Sequence, residues 1–411
     1  MSNIQDRLAE YARVITRVGV NIQSGQTLVI TCPIECAEFC RMLAAEAYNA
    51  GAGDVVVRWI DDKLSRMRFL RADDAVFNEF AEWLKTFLYE YAGKKSALVS
   101  ILATDPEMLK DVDPDRIRRS SIASGKALKE YMDMQMRNDF PWCVVSLPTQ
   151  DWASKVFPGV PADEAVGKLW DAILASVRVT GDGQAVESWK QHISSLSKRA
   201  EIMNGYRFTR LMYKNSLGTD LTVELHEKAK WGAVGDKAGT GVNFVANMPS
   251  EEVATTPVKN GVNGVLCSSL PLSLDGVIIS DIRFVVRDGK IVEAEASEGL
   301  DVLLHKLDVD DGARFFGEVA LVPYDSPISK SGILFYNTLF DENASCHFAF
   351  GKSYPAFTDA DDITNEELEA RGANDSMVHV DFMVGTPDLS IEGVTPDGRT
   401  ITVFSDGNFA F

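Results

Sequence analysis

The sequence predicts two unlike halves, α/β followed by α+β. Residues 1–200 read as an α/β domain with a mostly parallel sheet. Residues 201–411 read as a β-rich domain, barrel-like or built on a curled antiparallel sheet, that carries a candidate metal site. Three observations predict this. Before residue 150, short apolar runs rich in β-branched residues alternate with helical patterns. From Tyr206 onward, strand-like runs follow one another with few helices between them. And 411 residues exceed what one core of ordinary size serves.

In chain order, Leu8, Tyr11, Ala12, Ile15 and Val18 give a helical stripe within residues 1–24. Gln26–Cys32 (QTLVITC) reads as a buried strand and Glu35–Ala50 as a helix closed by Gly51 and Gly53. Asp54–Ile60, Ser96–Ala103 and Pro141–Leu147 are the next strands. Helical patterns separate them at 61–71, 73–91 and 114–137, the last with Asp113 as N-cap before a first-position proline. Strands of this kind alternating with helices argue for a parallel sheet covered on both faces. Residues 151–203 carry more helix, including 162–177 and 184–203. The runs 206–213, 219–226, 276–286 and 290–296 are strand-like, and Arg287-Asp288-Gly289-Lys290 is a hairpin signal. No GxGxxG or GxxxxGK[ST] follows any strand, so a nucleotide site has no support.

Composition narrows the function. The chain is 45% hydrophobic and 25% charged, as in a globular protein. It shows no charged-apolar-small leader and no apolar run on the order of 18 residues, so a cytoplasmic protein is expected. A net charge of −19 disfavours nucleic acid and anionic membrane and favours cationic ligands. The six cysteines are too sparse for a disulfide scaffold. Cys32, Cys36 and Cys40 recur every four residues, which on a helix would stack them on one face. Packed thiols are the preferred reading over a metal cluster.

The residues that could carry chemistry gather in the second half. His379 and Asp381, two apart in the strand-like run Val378–Val384, point to one face while Val380 and Phe382 point to the other. The alternative is a solvent-facing edge or a simple His–Asp pair. Glu342 and His347 lie five residues apart, with Asp341 placed to cap a short helix beginning near Glu342. A first-turn acid is also what a helix dipole favours. Glu251 and Glu252 stand between Pro249 and Pro257, and in an extended chain only one of them faces a site. Glu318 precedes the apolar run Val319–Val322, and Tyr354 follows His347 by seven residues. His192, His226 and His305 lack acidic partners at ligand spacing and read as structural, and Cys346 as a packed thiol. There is no HExxH, GxSxG or CxxC.

Together these segments resemble the M29 family of metallo-aminopeptidases, of the aminopeptidase T or aminopeptidase S type. Four stretches carry the resemblance: NMPSEEVATTP from Asn247, GEVALVP from Gly317, LFYNTLFDENASCHFAFGKSYP from Leu334, and HVDFMVG from His379. It is strong from about Trp231 to the C-terminus and weak through the α/β half. Carried over residue by residue, it implies metal ligands at Glu252, Glu318, Glu342, His347, His379 and Asp381, and an active-site tyrosine at Tyr354. Four carboxylates and two imidazoles suit two divalent ions (Zn, Co, Mn or Mg) about 3.5–4 Å apart. Such a pair would activate water, polarise the scissile carbonyl and anchor a free α-amine; Tyr354 would donate to the oxyanion. The general base is left unassigned, with Glu318 and Glu251 as its candidates. The resemblance further implies a homodimer whose enclosed cavity admits short peptides with a free N-terminus. Two other readings compete: a metal-free paired-carboxylate hydrolase of the glycosidase kind, which leaves the histidines without a role, and a non-catalytic metal- or peptide-binding protein on the same scaffold.

Overall fold

The computed structural model describes residues 3–226, 228–354 and 365–411, so Pro355, the last residue of the long motif, lies outside the described residues. The chain divides into two compact units, Met1–Leu109 with Ala127–Ser195 and Val234–Ser250, and Lys110–Lys126 with Leu196–Ala233 and Glu251–Phe411. Residues 110–126 and 234–250 thus fold with the other half from the one that a single cut near residue 200 would give them.

In the first unit, the strands Thr27–Pro33, Asp54–Ile60, Ala97–Leu102 and Trp142–Ser146 form one parallel sheet. Its spatial order runs from Asp54–Ile60 through Thr27–Pro33 and Ala97–Leu102 to Trp142–Ser146. The inner strand Thr27–Pro33 is nearly continuous in buried residues, while the edge strand Asp54–Ile60 is half-exposed. That difference is why the first reads TLVITCP and the second tolerates Arg58. Helices Ile4–Val14, Ala37–Asn49, Asp62–Arg71 and Glu82–Gly93 alternate with the strands. The expected α/β order therefore holds.

Three local differences have physical reasons. The first helix passes into a π turn at Ile15–Gly19, where the Thr16 hydroxyl donates to the Ala12 and Arg13 carbonyls. The helical stretch expected over 151–203 opens with a separate short helix at Gln150–Val156, whose seven residues are too few to show a period of their own. And Cys32, Cys36 and Cys40 do not share a helix face. Cys32 is extended in the sheet opposite Trp59, Cys36 closes a 3-10 turn, and Cys40 lies on the Ala37–Asn49 helix. Pairing of Thr27–Pro33 on both edges overrides the four-residue spacing. All three are buried free thiols.

The second unit is built on two antiparallel sheets. The larger has eight strands, in the order Lys290–Glu295, Arg283–Arg287, Pro257–Cys267, Asp220–Leu225, Arg210–Lys214, Ser390–Val394, Thr400–Ser405 and Asn408–Phe409. The smaller has five, in the order His379–Met383, His347–Gly351, Phe316–Leu321, Val253–Thr255 and Gly232–Ala233. The helix Ala185–Tyr206 runs later than its pattern suggests, so the first strand starts at Arg210 rather than Tyr206. The run 276–286 is two strands, Val277–Ile279 and Arg283–Arg287.

Aromatic rings join the sheets. Phe348 and Phe382 of the smaller sheet meet Tyr213 and Phe284 of the larger, with centroids 5.3 Å apart for Tyr213–Phe348 and 5.2 Å for Phe284–Phe382, and Phe316 packs on Phe348 and Phe382 within the smaller sheet. All are fully or almost fully buried, and burying each ring contributes on the order of 2–3 kcal/mol relative to exposure. One face of the five-stranded sheet is thereby committed to the core, and its opposite face is left for chemistry.

The Asp-Gly hairpin forms as expected, with Asp288 and Gly289 both at positive φ, 49° and 80°. A Cβ at Gly289 would collide with the Lys259 carbonyl. Gly289→Ala should therefore lower the urea midpoint by the equivalent of at least about 1–2 kcal/mol, the left-handed cost alone; an unchanged midpoint would show that the turn does not limit stability.

Candidate metal centre

The strand pattern that frees one sheet face also loads it. On His347–Gly351, Phe348 and Phe350 go to the core and His347 and Ala349 to the other side. On His379–Met383, Val380 and Phe382 go to the core and His379 and Asp381 to the other side. The ladder sets Ala349 opposite both Asp381 and Glu318, which brings two acids to either side of one small residue. Ala349 leaves room for them.

Glu318 needs a further device. Phe316 and Glu318 are two apart, so a regular strand would send both to the same face. The register shifts between them: Phe316 pairs with Phe350 and Glu318 with Ala349, with Gly317 as the extra residue. The bulge lets Phe316 enter the aromatic core while Glu318 enters the site. Gly317 is required there because any Cβ would overlap the Lys352 carbonyl and stand 2.6 Å from that of Gly351.

Five of the expected ligands come together in two groups that share Glu318. The groups are Glu252, Glu318 and His347, and Glu318, His379 and Asp381, and within each group the ligand atoms lie within 4.8 Å of one another. His347 Nε2 is 3.0 Å from Glu252 Oε2. His379 Nε2 is 3.2 Å from Glu318 Oε2 and 3.6 Å from Asp381 Oδ2. Glu342 belongs to neither group but is buried and close enough to raise the titration of its neighbour His347. Tyr354 packs edge-on against His379, centroids 4.8 Å apart.

The turn at Glu342 differs from expectation. Asp341 stands at the N-cap position of the 3-10 turn Glu342–Ala344 but makes no capping bond to it, while Asn337 caps the preceding short helix Thr338–Asp341, its side chain accepting from the Leu339 amide. The Asp341 carboxylate instead accepts from the Phe335 and Asn337 amides, 2.9 and 3.0 Å, and so folds the preceding loop onto itself. Glu342 then opens a 3-10 turn that ends at Ala344, just ahead of Ser345-Cys346-His347. Glu251 is buried, its amide donating to Asn343 Oδ1 at 2.7 Å, and it joins neither group. Among the histidines read as structural, His192 contacts Arg178 and the Ser250 carbonyl.

The histidines are oriented for ligation. His347 Nδ1 faces the carbonyls of Glu342 and Ser345 at 2.9 and 3.1 Å, and His379 Nδ1 faces that of Lys352 at 2.7 Å. A carbonyl can only accept, so each Nδ1 carries a proton and each Nε2 turns to the acids. Sequence reading misses this layer, because backbone carbonyls carry no residue signal.

Electrostatically the site is overloaded with negative charge. Burial, with Asp381 and Glu252 nearby, lifts the Glu318 carboxyl to about 7 against the pull of His379. Glu342 is raised by burial and by Asp381, Glu252 and Glu318. Burial acts to lower both histidines, but Glu252 raises His347, and Asp381 with Glu318 holds His379 up at about 9. Burial and the same acids raise Tyr354, keeping its phenol a donor. Asp381 Oδ1 is buried with no hydrogen-bond partner among the described residues. A buried carboxylate oxygen aimed into a cluster of acids and imidazoles fits a divalent cation.

Fold and site together define a metallopeptidase, and the chain belongs to the M29 family. It matches the family model described as thermophilic metalloprotease (M29) over residues 4–409. It is 41% identical to aminopeptidase 2 of Geobacillus stearothermophilus, with 100% of this chain and 99% of the relative covered. It is 40% identical to aminopeptidase AmpS of Bacillus subtilis (strain 168), with both chains fully covered. Among solved structures, wild-type AmpT from Thermus thermophilus superposes with a TM-score of 0.91 at 34% identity, covering 100% of both chains. A dihydroxypyridine dioxygenase from Pseudomonas putida KT2440 shares the fold, with a TM-score of 0.53 at 11% identity, covering 100% of this chain and 98% of that one. The protein is thus a metallo-aminopeptidase that takes a divalent metal cofactor. No helix among the described residues is long and apolar enough to cross a membrane.

Gly317→Ala should displace the Lys352 carbonyl and with it His379. Activity should fall at least about tenfold and metal affinity should weaken in step. Wild-type affinity in the folded variant would show that the bulge is not what orients His379.

Proposed function

We propose that the protein removes N-terminal residues from short peptides, using two divalent ions held by Glu252, Glu318, Glu342, His347, His379 and Asp381. The observation that carries this is the pair of ligand groups meeting at Glu318. One group centres on His347 and the other on His379, and a shared carboxylate is the usual bridge between paired ions. When bound, the ions supply Lewis acidity toward the scissile carbonyl and toward water.

A free α-amine could coordinate to the bound ions, which favours an exopeptidase over an endopeptidase. This chain's residues do the rest. A carboxylate of the site, Glu251 or Glu318, takes the proton of the attacking water and returns it to the departing amine. Tyr354 donates its phenol proton in a hydrogen bond to the oxyanion of the tetrahedral intermediate. The aromatic-backed sheet keeps bulk water from one side of the site. Assembly as a homodimer around an enclosed cavity, in the cytoplasm, would limit substrates to short chains. An active monomer on gel filtration would contradict that part.

A panel of aminoacyl-anilides should be cleaved, cleavage should stop with chelator, and Zn, Co, Mn or Mg should restore it. Folded protein inactive with all four metals would overturn the assignment in favour of a binding protein. Activity indifferent to chelator would point instead to paired-carboxylate chemistry. Glu318→Ala and His379→Ala should each abolish turnover with the fold intact.

Tyr354→Phe separates the phenol from the ligands. It should lower kcat by about 10²–10³ with KM little changed, since one oxyanion donor is lost and no metal ligand is. A raised KM with normal kcat would assign Tyr354 to substrate binding.

A further inference from the structure

We propose that Asn343 is a positioning residue that selectively builds the metal position around His347, by tying the Glu252 segment to the Glu342 turn. The inference rests on the metal-centre reading above and deepens it.

The side chain of Asn343 is wholly buried. Its Oδ1 accepts from the Glu251 amide at 2.7 Å. Its Nδ2 donates to the Leu339 carbonyl at 2.9 Å and to Glu342 Oε1 at 3.4 Å. Its own carbonyl accepts from the Ser326 hydroxyl at 3.1 Å. One amide group therefore touches the residue beside Glu252, the carboxylate of Glu342 and the helix that leads into Glu342. These are the two ligand-bearing segments around His347 that lie outside regular strands.

The acids around His379 and the Glu252 and Glu342 segments near His347 are supported differently. Glu318, His379 and Asp381 all sit on the two strands flanking His347–Gly351, so the ladder fixes their separations. Glu252 precedes its strand by one residue, and Glu342 is on a 3-10 turn. No ladder spans the distance between them, and Asn343 does. An aspartate there could still accept from the Glu251 amide. It could not donate to the Leu339 carbonyl, and it would set a like charge beside Glu342.

Apo wild-type protein and Asn343→Asp are titrated with cobalt(II), followed by calorimetry and by the visible absorption of the bound ion. Wild type should take up two equivalents. Asn343→Asp should keep one equivalent at wild-type affinity and lose about 10–100-fold on the other, the usual scale for outer-shell partners. Circular dichroism and thermal unfolding of the apo forms check the fold, and Asn343→Ser is read in the same way if the aspartate variant does not fold. Both equivalents bound at wild-type affinity would overturn the proposal. So would an equal loss of both, or failure of both variants to fold, either of which would make Asn343 a general scaffold residue. If wild type itself takes up fewer than two equivalents, the two-ion reading fails instead, and the two failures are distinct.

Discussion

Three carboxylates, with a fourth, Glu342, nearby, crowd together on the face of a sheet whose other side is packed with phenylalanine, and the rest of the second unit is arranged around that constraint. Like charges removed from water repel strongly and are poorly solvated. The site answers in part with two imidazoles and in part by holding carboxyls such as Glu318 near neutrality. Asp381 Oδ1 is answered by no described group. A site organised only for stability would replace such a cluster with apolar residues. Its persistence in a well-packed setting is the physical argument that it exists for cations.

The sheet resolves the conflict between core and site by alternation, and the bulge at Gly317 extends that alternation to a strand whose sequence would otherwise break it. Without the shift, Phe316 or Glu318 would be on the wrong face, and either error is severe: an aromatic ring lost from the core, or a carboxylate driven into it. The same residue allows the Lys352 carbonyl to approach His379. Fold geometry and imidazole tautomer thus depend on one missing side chain.

Much of this is legible in the sequence. The strand–helix alternation of the first unit shows in TLVITC, DVVVRWI, ALVSIL and WCVVS, because buried parallel strands need continuous apolar runs. The shared face of His379 and Asp381 follows from a spacing of two, and the structure has it. What stays hidden is of another kind. The exchange of residues 110–126 and 234–250 between units depends on long-range packing that no local period encodes. The cysteine spacing of four suggests a helix face, but strand pairing decides the matter. Asp341 does stand at the N-cap position of the turn at Glu342, yet its carboxylate makes no capping bond, because it accepts from the Phe335 and Asn337 amides behind it. The carbonyls that orient both histidines are invisible to any residue code.

The two halves of the candidate centre therefore differ in how order is imposed on them. Around His379 the ligands inherit their spacing from hydrogen-bonded strands, the most rigid means the chain has. Around His347, Glu318 and His347 are strand residues too, but Glu252 stands just ahead of its strand and Glu342 on a turn, and the Asn343 amide ties those two segments together. On the two-ion reading proposed above, such a centre would have one position set by the fold and one set by a few local contacts. The second is where affinity for the ion can be tuned without disturbing the sheet, because the groups that define it can shift while the aromatic core beneath stays in place.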